Sequence, residues 1–490
     1  MQYYLPRVDF RSREVFVDWC AMVFSSLAFL CVFLPIVFLV DRVLPTTGAK
    51  NAALIVASLL FYAYGEPVLV LLMLASTFMN FLFGKLVASD DQRAAKLWVV
   101  VAVVVNLGLL GVFKYSNMAV STVNAVFGLG IPLPNIPLPL GISFYTFQAL
   151  SYVIDVYRHD VEPQHHYTRV LLYVSFFPQL IAGPIVKYHD IEKEMASRNA
   201  TISDVAQGFR RFSLGLAKKV LVANTMAATA DALYALPQTV LNAPGAWLAA
   251  FAYMLQIYFD FSGYSDMASG LGRAFGFHFK ENFDHPYAST SIKEFWRRWH
   301  MSLSTWLKEY LYIPLGGNRK GRARASINRI IVFFLCGLWH GASWTFVVWG
   351  LLHGLFLLAE DRLPISKLPR ALGHLYALLV VMVTFVIFRC DTLAQAGAVI
   401  GTMMTGWHFD TASMIPVVQQ LTPLFVATAV CGVALAGELP LRVRQRLLAT
   451  RTCEAGGFGA ACYGVALMLL VLCVVSLSSG TYNPFIYFRF

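Results

Sequence analysis

Apolar runs separated by short polar connections fill this chain from one end to the other. The first clear run, residues 21–40, holds 20 residues without a charge. As a helix it is about 30 Å long, enough to cross a hydrocarbon core. Candidate spans fall at 22–40, 51–65, 67–84, 97–114, 138–156, 168–186, 208–230 and 246–270. Later ones fall at 329–358 (in one or two pieces), 372–389, 393–407, 415–437 and 457–479. Because some of these enter without crossing, the pattern predicts about 11 transmembrane helices. Pro132, Pro134, Pro137 and Pro139 make 131–139 a non-helical loop. Pro178 and the step Ala182-Gly183-Pro184 break 168–186. Broken backbone at membrane depth is tolerated only beside protein or water, so that segment is expected to line a cavity. No internal repeat is visible.

Composition agrees with the pattern. Hydrophobic residues make up 58% of the 490 positions and charged residues 13%, against about 25% charged in soluble domains. The reading is an all-α polytopic membrane protein, with re-entrant or interfacial helices beside the spans. No polar block is long enough for a soluble domain. The net charge of +11 collects in loops. Arg319, Lys320, Arg322, Arg324 and Arg329 come with no acid between them, and Arg442, Arg444, Arg446 and Arg451 form a second basic run. Both are expected to face the cytoplasm. Apolar spans interrupt the basic positions, so nucleic-acid binding is not expected.

Eight cysteines (Cys20, Cys31, Cys336, Cys390, Cys431, Cys453, Cys462 and Cys473) include no CxxC pair. They predict neither a disulfide framework nor a zinc ribbon. The basic stretch before residue 21, with no clear cleavage site, favours a retained anchor over a cleaved signal.

Two histidines 40 residues apart carry the chemical interest. His340 lies in Gly337-Leu338-Trp339-His340-Gly341-Ala342, inside a stretch, 330–359, that contains no Asp, Glu, Lys or Arg. It follows Arg329 by 11 residues, roughly 16 Å along a helix and near mid-membrane. A titratable group at that depth is costly to keep and points to function, and imidazole is the usual general base near neutral pH. A helix–helix hydrogen bond is the alternative. His300 closes Glu294-Phe295-Trp296-Arg297-Arg298-Trp299-His300. Ser291 and Glu294 have capping-box spacing, and Ile292, Phe295, Trp296, Trp299, Leu303, Trp306 and Tyr310 form one apolar stripe. That predicts an interfacial helix with His300 on the stripe's flank, packed or facing headgroups. His353 reads as packing. Cys336, four residues before His340, permits an activated thiolate, but buried cysteine is usually inert. The histidine spacings match no zinc motif, so no metal is expected. Asp260 and Asp266, in the run from Gln256 to Met267, follow 28 uncharged residues and are candidates to cap a broken helix, orient a histidine or bind an ion.

Several further blocks stand in order: Met22-Val23-Phe24-Ser25-Ser26, Leu140-Gly141-Ile142-Ser143-Phe144-Tyr145, Ile154-Asp155-Val156-Tyr157-Arg158 and Leu180-Ile181-Ala182-Gly183-Pro184. Glu281-Asn282-Phe283, Pro286-Tyr287, Tyr312-Ile313-Pro314-Leu315-Gly316-Gly317-Asn318-Arg319 and Pro484-Phe485-Ile486-Tyr487-Phe488 follow. With the aspartate and histidine segments, they resemble the membrane-bound O-acyltransferase family (MBOAT), most of all its members in bacterial alginate O-acetylation. The resemblance covers 22–490 as one transmembrane domain and leaves 1–21 as an N-terminal extension. Cys336 stands where a small residue is expected.

The resemblance implies helices ringed around a central tunnel in the bacterial inner membrane. It implies His340 as the catalytic histidine and His300 as its companion on the donor side. Asp260, Ser262, Tyr264, Asp266, Trp296, Arg297, Trp299 and Trp339 are the substrate-contact candidates. The implied donor is an acyl thioester, acetyl-CoA or an acyl carrier, with no bound cofactor. The implied acceptor is an extracytoplasmic polysaccharide such as alginate, reached through a periplasmic or membrane-anchored acetyltransferase partner. Cellulose, peptidoglycan and teichoic acid are rival acceptors. A transporter of acyl groups, or a scaffold without bond-making chemistry, is the alternative from another class.

Overall fold

The computed structural model describes residues 22–437, 439, 443, 456–480, 482–484 and 486. The extension 1–21, Cys20, Cys453, the run Arg442, Arg444, Arg446 and Arg451, and Phe485, Tyr487 and Phe488 lie outside the described residues. Among the described residues, regular structure is helical throughout, with no strand.

Among the described residues, four helices are long and apolar enough to cross a membrane alone: Leu69–Leu86, Gln92–Phe127, Arg370–Arg389 and Gly459–Ser478. Thr411–Gln420 and Pro423–Ala436 would make a fifth span, bent by 65°. That is fewer than the 11 the apolar runs suggest. The other runs are divided into shorter helices or carry polar residues turned toward protein, which length and apolarity alone do not count as crossings.

The breaks fall where proline and glycine place them. Residues 129–139 are non-helical, and 168–186 divides into Tyr167–Ser175, Phe177–Leu180 and a non-helical stretch. The apolar run at 329–358 becomes Gly321–His340 and Trp344–Glu360, separated at Gly341.

The centre is the helix Ala243–Ala274, whose side chains are almost all buried. Small residues let Ile202–Ala217 cross it closely. A Cβ on Gly215 would stand 2.6 Å from the Gly263 carbonyl oxygen, and one on Gly270 2.6 Å from that of Gly208. Helices in lipid associate through such close backbone packing, since apolar burial offers little there. Ion pairs bind the same elements: Lys219 to Asp260 at 2.8 Å, Lys218 to Asp266 at 2.6 Å and Arg211 to Asp266 at 2.9 Å. Asp260 Oδ2 also accepts from the Ile486 N–H at 2.9 Å, tying the C-terminal segment to the central helix. Elsewhere Asn80 and Asn106 exchange side-chain hydrogen bonds of 2.9 and 2.8 Å between two buried helix faces.

Candidate active site

His340 is the last residue of the helix Gly321–His340, and Gly341 beyond it is extended. The ends of such helices leave carbonyls without partners. Here Lys114, buried in the helix Gln92–Phe127, supplies them. Its ammonium donates to Trp339 O at 2.5 Å, His340 O at 3.2 Å and Ser143 Oγ at 3.1 Å. Tyr115 OH donates to Leu338 O at 2.6 Å. The imidazole is walled by Trp339, Trp349 and Phe388, with ring centroids 5.0, 5.1 and 5.4 Å away. Its Nε2 is buried and has no hydrogen-bond partner among the described residues.

His300 reaches the same place by a different route. The continuous helix expected beyond Ser291 is interrupted. Ile292–Arg298 ends, His300 takes a left-handed conformation with φ 44°, and Met301–Leu307 starts afresh. A non-glycine residue held there signals that its surroundings dictate the conformation. The segment 282–284 is what dictates it. Met301 N donates to Asn282 O at 2.9 Å and Asp284 N to Arg298 O at 2.9 Å, so both sides of the break are stitched to one strand of chain. His300 therefore turns inward, fully buried, and does not lie on an interfacial flank. The Ser291 cap forms, accepting from Glu294 N at 3.1 Å, but Glu294 itself turns to Thr290. Glu360 accepts from the N–H groups of Ile292 and Lys293 at 2.6 and 3.0 Å and anchors the start of that helix.

The His300 and His340 rings stand 6.3 Å apart, with Trp339 packed beside both. His300 Nδ1 meets Asn282 Oδ1 at 3.1 Å, and its Nε2, like that of His340, is buried without a partner among the described residues. His353 has both ring nitrogens engaged, Nδ1 by Trp296 Nε1 at 3.2 Å and Nε2 by Thr384 Oγ1 at 3.1 Å. It packs, as its setting predicts.

Cavities flank the end of the His340 helix. Lys114, Gly141, Ser143, Trp339 and His340 help line one of about 430 Å³. Trp299, Phe385 and Ile486 border another face of His340. A wider pocket of about 1020 Å³ lies earlier along the same helix, at Arg329, Phe333 and Cys336. Trp296, Arg297 and Lys308 also line it. Arg297 and Lys308 make no ion pair among the described residues, whereas Arg329 is engaged by Asp361.

Trp299 and Trp339 thus join the two histidines, while Trp296 and Arg297 belong to the wider pocket. The central helix meets His300 through Phe261, edge-on at 4.6 Å, and holds Asn282 through Ser265 at 3.0 Å. Asp260 and Asp266 carry the ion pairs described above. Ser262 is buried with its hydroxyl unpartnered among the described residues, and Tyr264 stacks on Phe24 at 4.6 Å. Sequence reasoning missed Lys114, Ser143, Asn282, Ser302, Trp349 and Phe388. Lys114 was legible only as the cation closing the run 97–114, where a helix end was expected. No group of three or more His, Cys, Asp or Glu suited to a metal ion occurs among the described residues.

A helical membrane protein with two buried imidazoles, and a cation-rimmed pocket earlier along the helix that ends at His340, has the parts of a transferase. The model of the membrane-bound O-acyltransferase family matches residues 149–363. The probable alginate O-acetylase AlgI of Pseudomonas putida is 40% identical over 492 residues, covering 96% of this chain and 100% of that protein. The peptidoglycan O-acetyltransferase of Helicobacter pylori is 35% identical over 422 residues, covering 78% and 80%. The teichoic acid D-alanyltransferase of Bacillus subtilis is 29% identical over 229 residues, covering 44% and 58%. This chain belongs to the membrane-bound O-acyltransferase family and is an acyltransferase.

Proposed function

We propose that this protein transfers an acyl group, acetyl first of all, from a cytoplasmic thioester toward a hydroxyl outside the inner membrane. The observation that carries the reading is the pair of buried histidines with rings 6.3 Å apart, each with an Nε2 that meets no partner among the described residues, and with cavities against His340. The donor, acetyl-CoA or an acylated carrier, enters the wider pocket, where the Arg297 and Lys308 cations suit its phosphates. His340 Nε2 takes the acceptor hydroxyl's proton as the oxygen attacks the thioester carbonyl. The tetrahedral adduct collapses with cleavage of the C–S bond, and the proton passes to the departing thiolate. His300 shares this proton work from the donor side. Trp299 and Trp339 shape the space around the reacting carbonyl, while Trp296 and Arg297 hold the donor. Asp260, Ser262, Tyr264 and Asp266 shape the wall that the central helix presents. No bound cofactor takes part.

Relatives named for alginate and peptidoglycan O-acetylation support a polysaccharide as final acceptor, with alginate favoured by the higher identity and fuller coverage. A periplasmic or membrane-anchored acetyltransferase acts as the relay to the glycan. Residues 22–490 form one domain of about 11 crossings around a tunnel, and 1–21 are an extension to it.

The test is the O-acetyl content of secreted glycan in cells carrying wild type or His340→Ala at matched membrane levels. Loss of acetylation in a folded variant supports histidine-assisted transfer over transport or scaffolding. Acetylation near wild type would sink the mechanism.

A further inference from the structure

The orientation of one side-chain amide decides what His300 can do. Asn282 Oδ1 lies 3.2 Å from the backbone nitrogen of Ser302. A peptide N–H only donates, so the atom facing it is an acceptor. Ser302 Oγ donates to the same oxygen at 2.8 Å, and Asn282 Nδ2 donates to Ser265 Oγ at 3.0 Å. The amide is thus set by the backbone, and the usual ambiguity between its oxygen and nitrogen does not arise. His300 Nδ1 faces that same oxygen at 3.1 Å. Facing an acceptor, Nδ1 carries the hydrogen, and in a neutral imidazole Nε2 is then a bare lone pair.

We propose that Asn282 is a positioning residue that holds His300 in the Nδ1–H tautomer, so that His300 enters the reaction as an acceptor through Nε2. The proposal rests on the two-histidine reading and deepens it. A neutral His300 in this tautomer accepts a proton at Nε2, from the acceptor hydroxyl or through His340, but gives no hydrogen bond to the thioester oxygen. The negative charge on the tetrahedral adduct is therefore stabilised by other donors. Asn282 also fixes where the ring sits, because its carbonyl takes the Met301 N–H at the left-handed break. The segment Glu281-Asn282-Phe283 so acquires a chemical role through the second of its residues.

The experiment labels histidine with ¹⁵N in the full-length protein in lipid nanodiscs. The His300 signals are assigned by their loss in His300→Gln. In wild type and in Asn282→Asp, which keeps the acceptor oxygen, His300 Nε2 should show the shift of an unprotonated nitrogen. In Asn282→Leu that signature should give way to a mixture. Glycan O-acetylation should fall on the order of 10²-fold in Asn282→Leu, the scale of a lost acid–base contribution. Asn282→Asp should keep at least about a tenth of it. A wild-type His300 protonated on Nε2, or a folded Asn282→Leu with near-normal acetylation, overturns the proposal. Should Asn282→Leu fail to reach the membrane, the wild-type and Asn282→Asp spectra decide alone. Retained acetylation in His300→Ala would instead overturn the two-histidine reading and leave the tautomer result standing.

Discussion

The ammonium of Lys114 lies 3.2 Å from the carbonyl oxygen of His340, joining the longest helix to the residue on which the chemistry turns. The contact gives a buried lysine a reason to exist, since its three donors all meet acceptors at or beside the end of the His340 helix. Removing it would leave the Trp339 and His340 carbonyls unsatisfied, at about 1–3 kcal/mol for each buried group. Lys114→Met is therefore expected to lower the unfolding midpoint in detergent and to cut glycan acetylation at least tenfold. Calorimetry and an acetyl assay at equal protein level check both. Unchanged values would show that Tyr115 alone secures the helix end.

Asp260 offers a sharper choice. Its partner Lys219 is 2% exposed and Asp260 itself 1%, so Asp260→Asn removes a carboxylate charge from beside a buried cation. Breaking such a pair costs roughly 3–5 kcal/mol, while replacing both members can be neutral. The single variant should accumulate poorly in the membrane, and Asp260→Asn with Lys219→Met should recover. Recovery of both level and acetylation identifies a structural pair. Recovery of level alone would give Asp260 a direct part with substrate.

Gly263 tests the close helix crossing. An added Cβ would meet the Gly215 carbonyl oxygen at 2.7 Å, closer than packed atoms tolerate. Gly263→Ala should cost about 1–3 kcal/mol, and Gly263→Val more. Thermal unfolding of the purified proteins should rank wild type above alanine above valine. Equal midpoints would mean that the two helices can separate freely.

Arg297 and Lys308 should act on binding more than on chemistry. With acetyl-CoA as donor probe, Arg297→Ala and Lys308→Ala should each raise the donor KM several-fold with kcat little changed. Added salt should shrink the difference, because exposed charges are screened. A fall in kcat at constant KM would move these residues out of the donor site.

Much of the architecture was legible because its causes are local. Prolines withhold a backbone donor wherever they stand, so the loop at 131–139 and the break after Ser175 could be read directly. That His340 is buried agrees with the uncharged run around it. His300 was harder. Its stripe of aromatics has helical spacing, and only the hydrogen bonds from 282–284 show why the helix stops before it. The expected number of crossings also outran the helices that qualify by length and apolarity. An apolar run tells of burial without telling whether the burial is in lipid or in protein.

A helical membrane protein, the positions of its breaks, and a histidine within an uncharged run could all be read from the sequence. Those are properties of residues acting on themselves and their near neighbours. Tertiary structure alone decided that Lys114 would hold a carbonyl 226 residues away, that Asn282 would face His300, and that Asp260 would pair with Lys219. Each is a directional contact of a few ångströms between separate segments. Such contacts exist only once helix packing has set the segments side by side, and no periodicity within either segment encodes them.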